Sequence, residues 1–596
     1  MEYPLNTYIT AHTLISSLGF GTLENLEAIR AYRSGICLQK VRQSSENEWI
    51  SDIPIQAGLI DSTELKKRAR QAQIETYPRL EQLFILTIQE ILSQSEVDLS
   101  KQDCALLLST TKGNIDLLNK CIGQRASNEP DYSAQLSTDS PVFLWEMAER
   151  IGDFFRTANR VEVISNACIS GVSALIVAKR WIETRRYKQV IVAGGDILSH
   201  FITSGFLSFR SISTQRCRPY DEQRNGLNLG EACGAVLLSA TGSKEDILLS
   251  GGAISNDANH ISGPSRTGDG LALAISHAME EAKVTPKDIS FINAHGTATV
   301  YNDEMESKAI HLVNLGSVPV NSLKSYLGHT LGASGIIETI FCIEQLKEGI
   351  IYGTLGYKTP GVPMPIIVNA THQPMPMKSC IKTASGFGGC NAAIVLSLPA
   401  CQQRKQPYEI RPVSTFQTVS IKQGTIELAG KTIFSSQDME FSPFIREAYK
   451  KLSENNMKFY KMDDLCKLGY VAAGYLLKDT VYQPEEIGII LANASSSLDT
   501  DCKHQTIIRK NGDASASPAI FVYTLPNVVL GEICIRHKIQ GENTFFISQS
   551  YDESLLEDYA RIAMAKGKLQ TCIIGWCELF DGHYHAEFKQ LIYQHS

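Results

Sequence analysis

Residues 161–186 read VEVISNACISGVSALIVAKRWIETRR. A short apolar, β-branched run ends at Ser165, Cys168 follows at the junction, and an amphipathic helical pattern fills the rest. A side chain at such a junction lies at the helix N-terminus, where the partial positive charge favours a thiolate. Ala167 and Gly171 flank the cysteine and permit close backbone approach. The mechanics are those of a nucleophile elbow, with different residues from the hydrolase motif. A lone cysteine among the 15 in the chain would more often be an inert core thiol.

The same strand-then-helix alternation extends in both directions. Strand-like runs are CALLLST (104–110), QVIVAGG (189–195), AVLLSA (235–240) and AAIVLSL (392–398), with helical patterns such as LALAISHAMEEAKV (271–284) between them. This predicts an α/β layered fold. The polar, proline-bracketed stretch PACQQRKQPYEIRP at 399–412 reads as a linker. Beyond it a second α/β pattern echoes the first in order: QDCALLLSTTKG with EEIGIILANASS, VEVISNACISG with TFFISQSYDES, QVIVAGGDIL with TCIIGWCELF. In that echo Tyr551 takes the place of Cys168, and the middle third of the chain has no counterpart.

Length and charge restrict the function. The 596 residues exceed one ordinary domain, so at least two packed units are expected. The net charge of -7 argues against a nucleic-acid binder. The N-terminus lacks the order of a secretory signal, and no apolar run reaches membrane-spanning length. The cysteines show no zinc spacing, so reduced thiols and a cytoplasmic setting are expected.

Three segments far from Cys168 change the reading of that thiol. NAHGTATVYNDEMES (293–307) carries His295, Thr297, Thr299 and Glu306. NSLKSYLGHTLGASG (321–335) carries Lys324 and His329, with glycines 328, 332 and 335 marking a tight turn into a closely packed helix. ASGFGGCNA (384–392) carries Gly386, Phe387, Gly388 and Gly389, a hairpin whose N–H groups can face an anion. Each string alone is a weak signal. Taken in order, with SLGFGTLENLEAIRAYRSGI (17–36) and RPYDEQRNGLNLGEACG (218–234), they resemble the β-ketoacyl-[acyl-carrier-protein] synthase family over roughly residues 5–398.

The resemblance implies a thiolase fold of five α-β-α-β-α layers for residues 1–400, a linker at 401–412, and at 413–596 a second α/β domain resembling half a thiolase fold. It implies decarboxylative condensation. Cys168 would accept an acyl chain, and the backbone N–H groups of Cys168 and Phe387 would form the oxyanion hole, with Phe387 as a gate flanked by Gly386 and Gly388. Neutral His295 and His329 would donate to the malonyl thioester oxygen as the enolate forms. Lys324 would order the electrostatics with Glu306 as its carboxylate partner, and Thr297 and Thr299 would hold the phosphopantetheine arm, which arrives on the carrier protein. No metal or other cofactor is implied. The basic helix STELKKRARQ (62–71) matches the family's carrier-docking element, so Lys66, Lys67, Arg68 and Arg70 are docking candidates; a solvated helix face is the bland alternative.

Two departures bear on substrate choice: NACISG, where Asn166 and Ile169 are expected to reshape the acyl entrance, and GEACG in place of GEGAG. The C-terminal part resembles the first half of a degenerate chain-length factor, without HGT or K-x-x-x-GH motifs and with Cys577 as a core thiol. Ketosynthases pair through their first halves, so this part is expected to take a partner subunit's place in an intramolecular pseudo-dimer; the alternative is an ordinary homodimer. Fatty-acid, polyketide and aryl-polyene elongation all fit. The competing readings are a thiolase-type acyltransferase using Cys390 as second cysteine, and a non-catalytic chain-length or scaffold partner for carrier protein.

Overall fold

The computed structural model describes residues 6–39, 50–122, 140–401, 410–478, 480–566 and 568–594; most of the expected linker lies outside them. The predicted strands form as Cys104–Ser109, Glu162–Ile164, Gln189–Asp196, Ala232–Ser239 and Cys390–Ser397. In the first sheet the order is Glu162–Ile164, Cys104–Ser109, Gln189–Asp196, Ala232–Ser239, Tyr8–Ser16. A second sheet runs Ile247–Asn256, Cys390–Ser397, Ser379–Gly386, Ile289–Asn293, Pro319–Asn321. The helices Ser170–Glu183 and Ser334–Glu348 lie between the sheets, with Arg79–Ser93 and Asp269–Ala282 on the outer faces. Every residue of Ser170–Glu183 is buried, as a central layer requires.

Two glycines set how the central helices cross. A Cβ on Gly171 would sit 2.8 Å from Ile336 N, and one on Gly335 would sit 2.9 Å from Gly171 Cα. Backbone therefore packs on backbone at the first turns of both helices. The residues just ahead of them, Cys168 and His329, are brought together by that crossing.

The C-terminal part repeats the first sheet strand for strand: Asn543–Ile547, Ile487–Asn493, Thr571–Phe580, His583–Tyr593, Val413–Lys422. The two sheets join edge to edge. Glu162–Ile164 pairs antiparallel with Asn543–Ile547, in the register Phe546↔Ile164 and Ile547↔Val163, and Ser165 N donates to Phe545 O at 3.1 Å. An edge that would invite another chain is thus filled within this one. Light scattering should accordingly find one 65.7 kDa chain per particle, and a dimer built through two Glu162–Ile164 edges would contradict the pairing.

The echo stops where the second sheet would begin. Ala232–Ser239 is buried along its whole length, covered on both faces. Its counterpart His583–Tyr593 alternates: Ala586 and Phe588 are buried, whereas His585, Glu587 and Lys589 are half-buried. The helix Glu553–Lys566 covers the second face of this sheet over Ile487–Asn493 and Thr571–Phe580, but His583–Tyr593 lacks the cover that Ser334–Glu348 gives to Ala232–Ser239. No single described helix is long and apolar enough to cross a membrane.

Candidate active site

Cys168 ends a strained elbow. Ala167 before it has φ 47°, the left-handed region that costs a non-glycine residue ~1–3 kcal/mol. The two histidine loops share the device: Ala298 follows His295 with φ 64°, and Leu331 follows His329 with φ 52°. The Cys168 Sγ lies 3.2 Å from His329 Nε2, and one nitrogen of His295 completes a set of three atoms all within 4.8 Å of one another. The imidazoles stand edge to face, centroids 5.1 Å apart. All three side chains line one cavity of about 270 Å³, with Thr297, Thr299, Gly386 and Phe387 in its wall.

The loop 218–234 braces both histidines. Asn228 O accepts from His329 N at 2.7 Å, and Gly230 N donates to His329 O at 3.0 Å. The Ser334 hydroxyl faces His329 Nδ1 at 3.0 Å; donating there, it leaves the imidazole proton on Nε2, toward the cavity. Glu306 accepts from the backbone N–H of His295 at 2.7 Å and of Gly296 at 2.6 Å, and from Tyr220 OH at 2.9 Å. The expected Glu306–Lys324 pair is therefore replaced. Lys324 Nζ donates to Glu338 Oε1 at 2.6 Å, and Lys382 Nζ reaches Glu338 Oε2 at 2.5 Å. Glu306 faces the peptide N–H groups at the turn after His295 and is spent there. Sequence reasoning missed Glu338 and Lys382, although a lysine in the buried strand SCIKTASG was a visible signal.

Burial dominates the titration of the site. It pushes both imidazoles well below their ordinary value, and Lys324 and Lys382 push the same way, so both rings are neutral at pH 7. Burial also lowers the Lys324 ammonium, against Glu338, which stabilises its charge. The Cys168 thiol is pushed up to about 12 by burial, with Lys324 opposing. Desolvation thus opposes the expected thiolate, and Lys324 favours it. Alkylation of Cys168 by iodoacetamide should rise about tenfold per pH unit from 6 to 9, with no plateau, as measured by peptide mass; a plateau near neutrality would show a stabilised thiolate. The three atoms also have the spacing of a metal-ligand set, but the buried ammonium of Lys324 disfavours a second cation there.

Other expectations are placed as follows. A Cβ on Gly386 would come within 3.1 Å of Cys168 N, so the GFGG turn abuts the nucleophile's backbone. Thr297 and Thr299 hydroxyls lie 2.9 Å apart on the cavity wall. Asn166 and Ile169 are not in that wall, contrary to expectation. Asn166 Nδ2 donates to Asn543 O at 2.9 Å and its Oδ1 accepts from Phe545 N at 2.9 Å, so it clasps the C-terminal part. Cys233 of GEACG is likewise a core residue. Cys390 is buried with Sγ turned to Phe387 O at 3.3 Å, outside the cavity wall. On the helix Ser62–Gln71, Lys67 and Arg68 pair with Glu64 at 3.0 and 2.9 Å, while Lys66 and Arg70 are exposed. Tyr551 occupies the strand-to-helix junction of the C-terminal part, and its hydroxyl has no hydrogen-bond partner among the described residues.

The C-terminal part also enters the cavity, through Phe521, Thr524 and Leu525. Beside them Lys112 forms a buried ion pair with Asp501 and donates to Ser497 Oγ at 3.0 Å and to Thr524 O at 2.7 Å. No local feature of the sequence links these residues across nearly four hundred positions.

Five layers with a cysteine and two imidazoles meeting at the centre define a thiolase-fold protein. Residues 40–242 match the description "Beta-ketoacyl synthase, N-terminal domain" and residues 248–358 match "Beta-ketoacyl synthase, C-terminal domain", together more than half of the chain. The chain belongs to the β-ketoacyl synthase family. It is 30% identical over 276 residues to "Putative polyketide beta-ketoacyl synthase 1" of Streptomyces cyaneus, covering 43% of this chain and 65% of that protein. It is 33% identical over 252 residues to "3-oxoacyl-[acyl-carrier-protein] synthase 2" of Rhizobium meliloti (strain 1021), covering 39% and 59%. The matched stretch thus spans under two thirds of these relatives' own lengths. The solved "PfaC Keto synthase-Chain length factor" covers 99% of this chain and is itself covered to 78%, with a TM-score of 0.77 at 14% identity. The Xenorhabdus doucetiae "Ketosynthase (ApeO) in Complex with its Chain Length Factor (ApeC)" covers 66% of this chain, with 98% of it matched, at a TM-score of 0.55 and 23% identity.

Proposed function

We propose that this chain performs decarboxylative Claisen condensation, joining a malonyl thioester to an acyl group held on Cys168. The observation that carries it is Sγ at 3.2 Å from His329 Nε2, with His295 beside it, in a cavity that also holds the GFGG turn. In the first step the thiol attacks an acyl-carrier thioester; the carrier thiolate leaves and takes the thiol proton. In the second, the malonyl thioester oxygen accepts from the two neutral imidazoles while its carboxylate departs as carbon dioxide, leaving an enolate. The enolate carbon attacks the acyl-Cys168 carbonyl. The Cys168 thiolate leaves and takes up a proton, and the product is a β-ketoacyl thioester.

The partners that fit are an acyl carrier protein, docking through Lys66, Lys67, Arg68 and Arg70, and the chain's own C-terminal part. That part acts as a fused chain-length factor: it fills the pairing edge and walls the cavity with Phe521, Thr524 and Leu525. Fusion keeps its effective concentration high. The buried position of Cys390 behind the turn weighs against a thiolase. Fatty-acid, polyketide and aryl-polyene elongation are the processes this reaction serves, in a cytoplasmic setting that suits the unpaired cysteines among the described residues.

The test is incubation with acyl- and malonyl-loaded carrier, followed by intact-mass analysis of protein and product. An acyl adduct that maps to Cys168 and a carrier heavier by one two-carbon unit are expected. An adduct elsewhere, or none, sinks the proposal.

A further inference from the structure

The turn that closes the cavity is held from the other part of the chain. Strands Ser379–Gly386 and Cys390–Ser397 pair as far as Gly386↔Cys390, so residues 387–389 form the connection, with Gly388 at φ 90° and Gly389 at φ 71°. The Phe387 ring rests on Phe209, centroids 5.3 Å apart, and on Phe206 at 6.3 Å. The Phe387 carbonyl accepts from Asn527 Nδ2 at 2.8 Å. Asn527 immediately precedes the C-terminal helix Val528–His537, whose Gly531 lies against the turn: a Cβ there would stand 2.6 Å from Gly388 O.

Asn527 is 2% exposed, and its Oδ1 finds no donor among the described residues. A buried amide with an idle acceptor costs stability that an apolar residue of similar size would not. Packing alone therefore gives no reason for asparagine at this position. Its donor does have a use: holding the Phe387 carbonyl fixes the peptide between Phe387 and Gly388, and so limits how the adjoining peptide, which carries the proposed oxyanion N–H beside Cys168, can turn.

We propose that Asn527 is a positioning residue for the condensing reaction, by which the C-terminal part orients the Phe387 backbone and makes its N–H available to the reacting carbonyl. The inference rests on the condensing reading above. It gives the C-terminal part a task beyond walling the cavity: a hold on the catalytic turn itself.

The test compares the full-length protein with its Asn527→Leu and Asn527→Asp variants, using a hexanoyl-pantetheine thioester and single-turnover mass analysis of Cys168 acylation. Leucine removes the donor at similar volume; acylation should slow about ten- to hundredfold, somewhat less than direct loss of an oxyanion donor, with thermal stability kept or raised. Aspartate should be slow at pH 8, where its carboxylate faces the Phe387 carbonyl, and recover as pH falls and a protonated carboxyl donates in the amide's place. Wild-type acylation rates in both variants, or losses that track unfolding at every pH, would overturn the assignment. Should the leucine variant misfold, the pH series on the aspartate variant decides alone. A wild-type protein that takes no acyl group onto Cys168 would instead overturn the condensing reading itself, so the two failures are distinguishable.

Discussion

With Cys168 replaced by alanine, the protein should still release carbon dioxide from a malonyl thioester while forming no β-ketoacyl product. The sulfur's task is to hold the acyl group; the two imidazoles act on the other substrate. Condensation should fall about a thousandfold or more, the scale seen when a covalent nucleophile is removed. Decarboxylation should stay within about tenfold of the intact enzyme, because the enolate still meets both N–H donors. His329→Ala should do the reverse, lowering decarboxylation about a hundredfold or more while leaving a thiol that can be acylated. Product mass and carbon dioxide release, measured on the same samples, separate the two effects. Normal condensation by Cys168→Ala would end the proposed mechanism.

The second large effect concerns the ion pair between the two parts of the chain. Lys112 is buried at the cavity wall with Asp501 as its counter-charge, and burial pushes that carboxyl up to about 6. Asp501→Ala strands the ammonium, a loss of ~3–5 kcal/mol. The damage should appear as faster hydrogen exchange in Leu498–Asn511 and a lower unfolding temperature. Replacing both partners, Lys112→Met with Asp501→Leu, should recover most of it, since a well-packed apolar pair can equal a buried ionic one. If the single and double variants lose the same stability, the pair is not what joins the parts at this point.

Much of this was legible in the sequence because it is local. The strand-to-helix junction at Cys168, the glycines at 332 and 335, and the apolar runs of the first sheet all announce themselves within a dozen residues. The echo in the C-terminal part was readable for the same reason, through three strands of matching order; its counterpart of Tyr8–Ser16, Val413–Lys422, is too polar on its open face to be seen as one. What could not be read were partnerships between distant side chains. The resemblance assigned Glu306 to Lys324, but the fold supplies Glu338 from a helix and sends Glu306 to the peptide N–H groups of residues 295 and 296. Asn166 looked like a substrate determinant because it adjoins the nucleophile, yet its amide bonds to a strand almost four hundred residues away. The helix N-terminus that favours a thiolate at Cys168 was visible; the desolvation that opposes it was not.

The half-buried face of His583–Tyr593 limits what the C-terminal part can become. Where the first sheet looks onto a helix and a second sheet that supplies two imidazoles, this one has the helix Glu553–Lys566 alone, and His585, Glu587 and Lys589 stay half-buried beyond it. Exchanging Tyr551 for cysteine would therefore not create a second reaction centre. The new sulfur would stand at its elbow with nothing opposite to polarise a carbonyl. Among the described residues the C-terminal part has no counterpart of the sheet whose loops carry His295 and His329, and one substitution does not supply it.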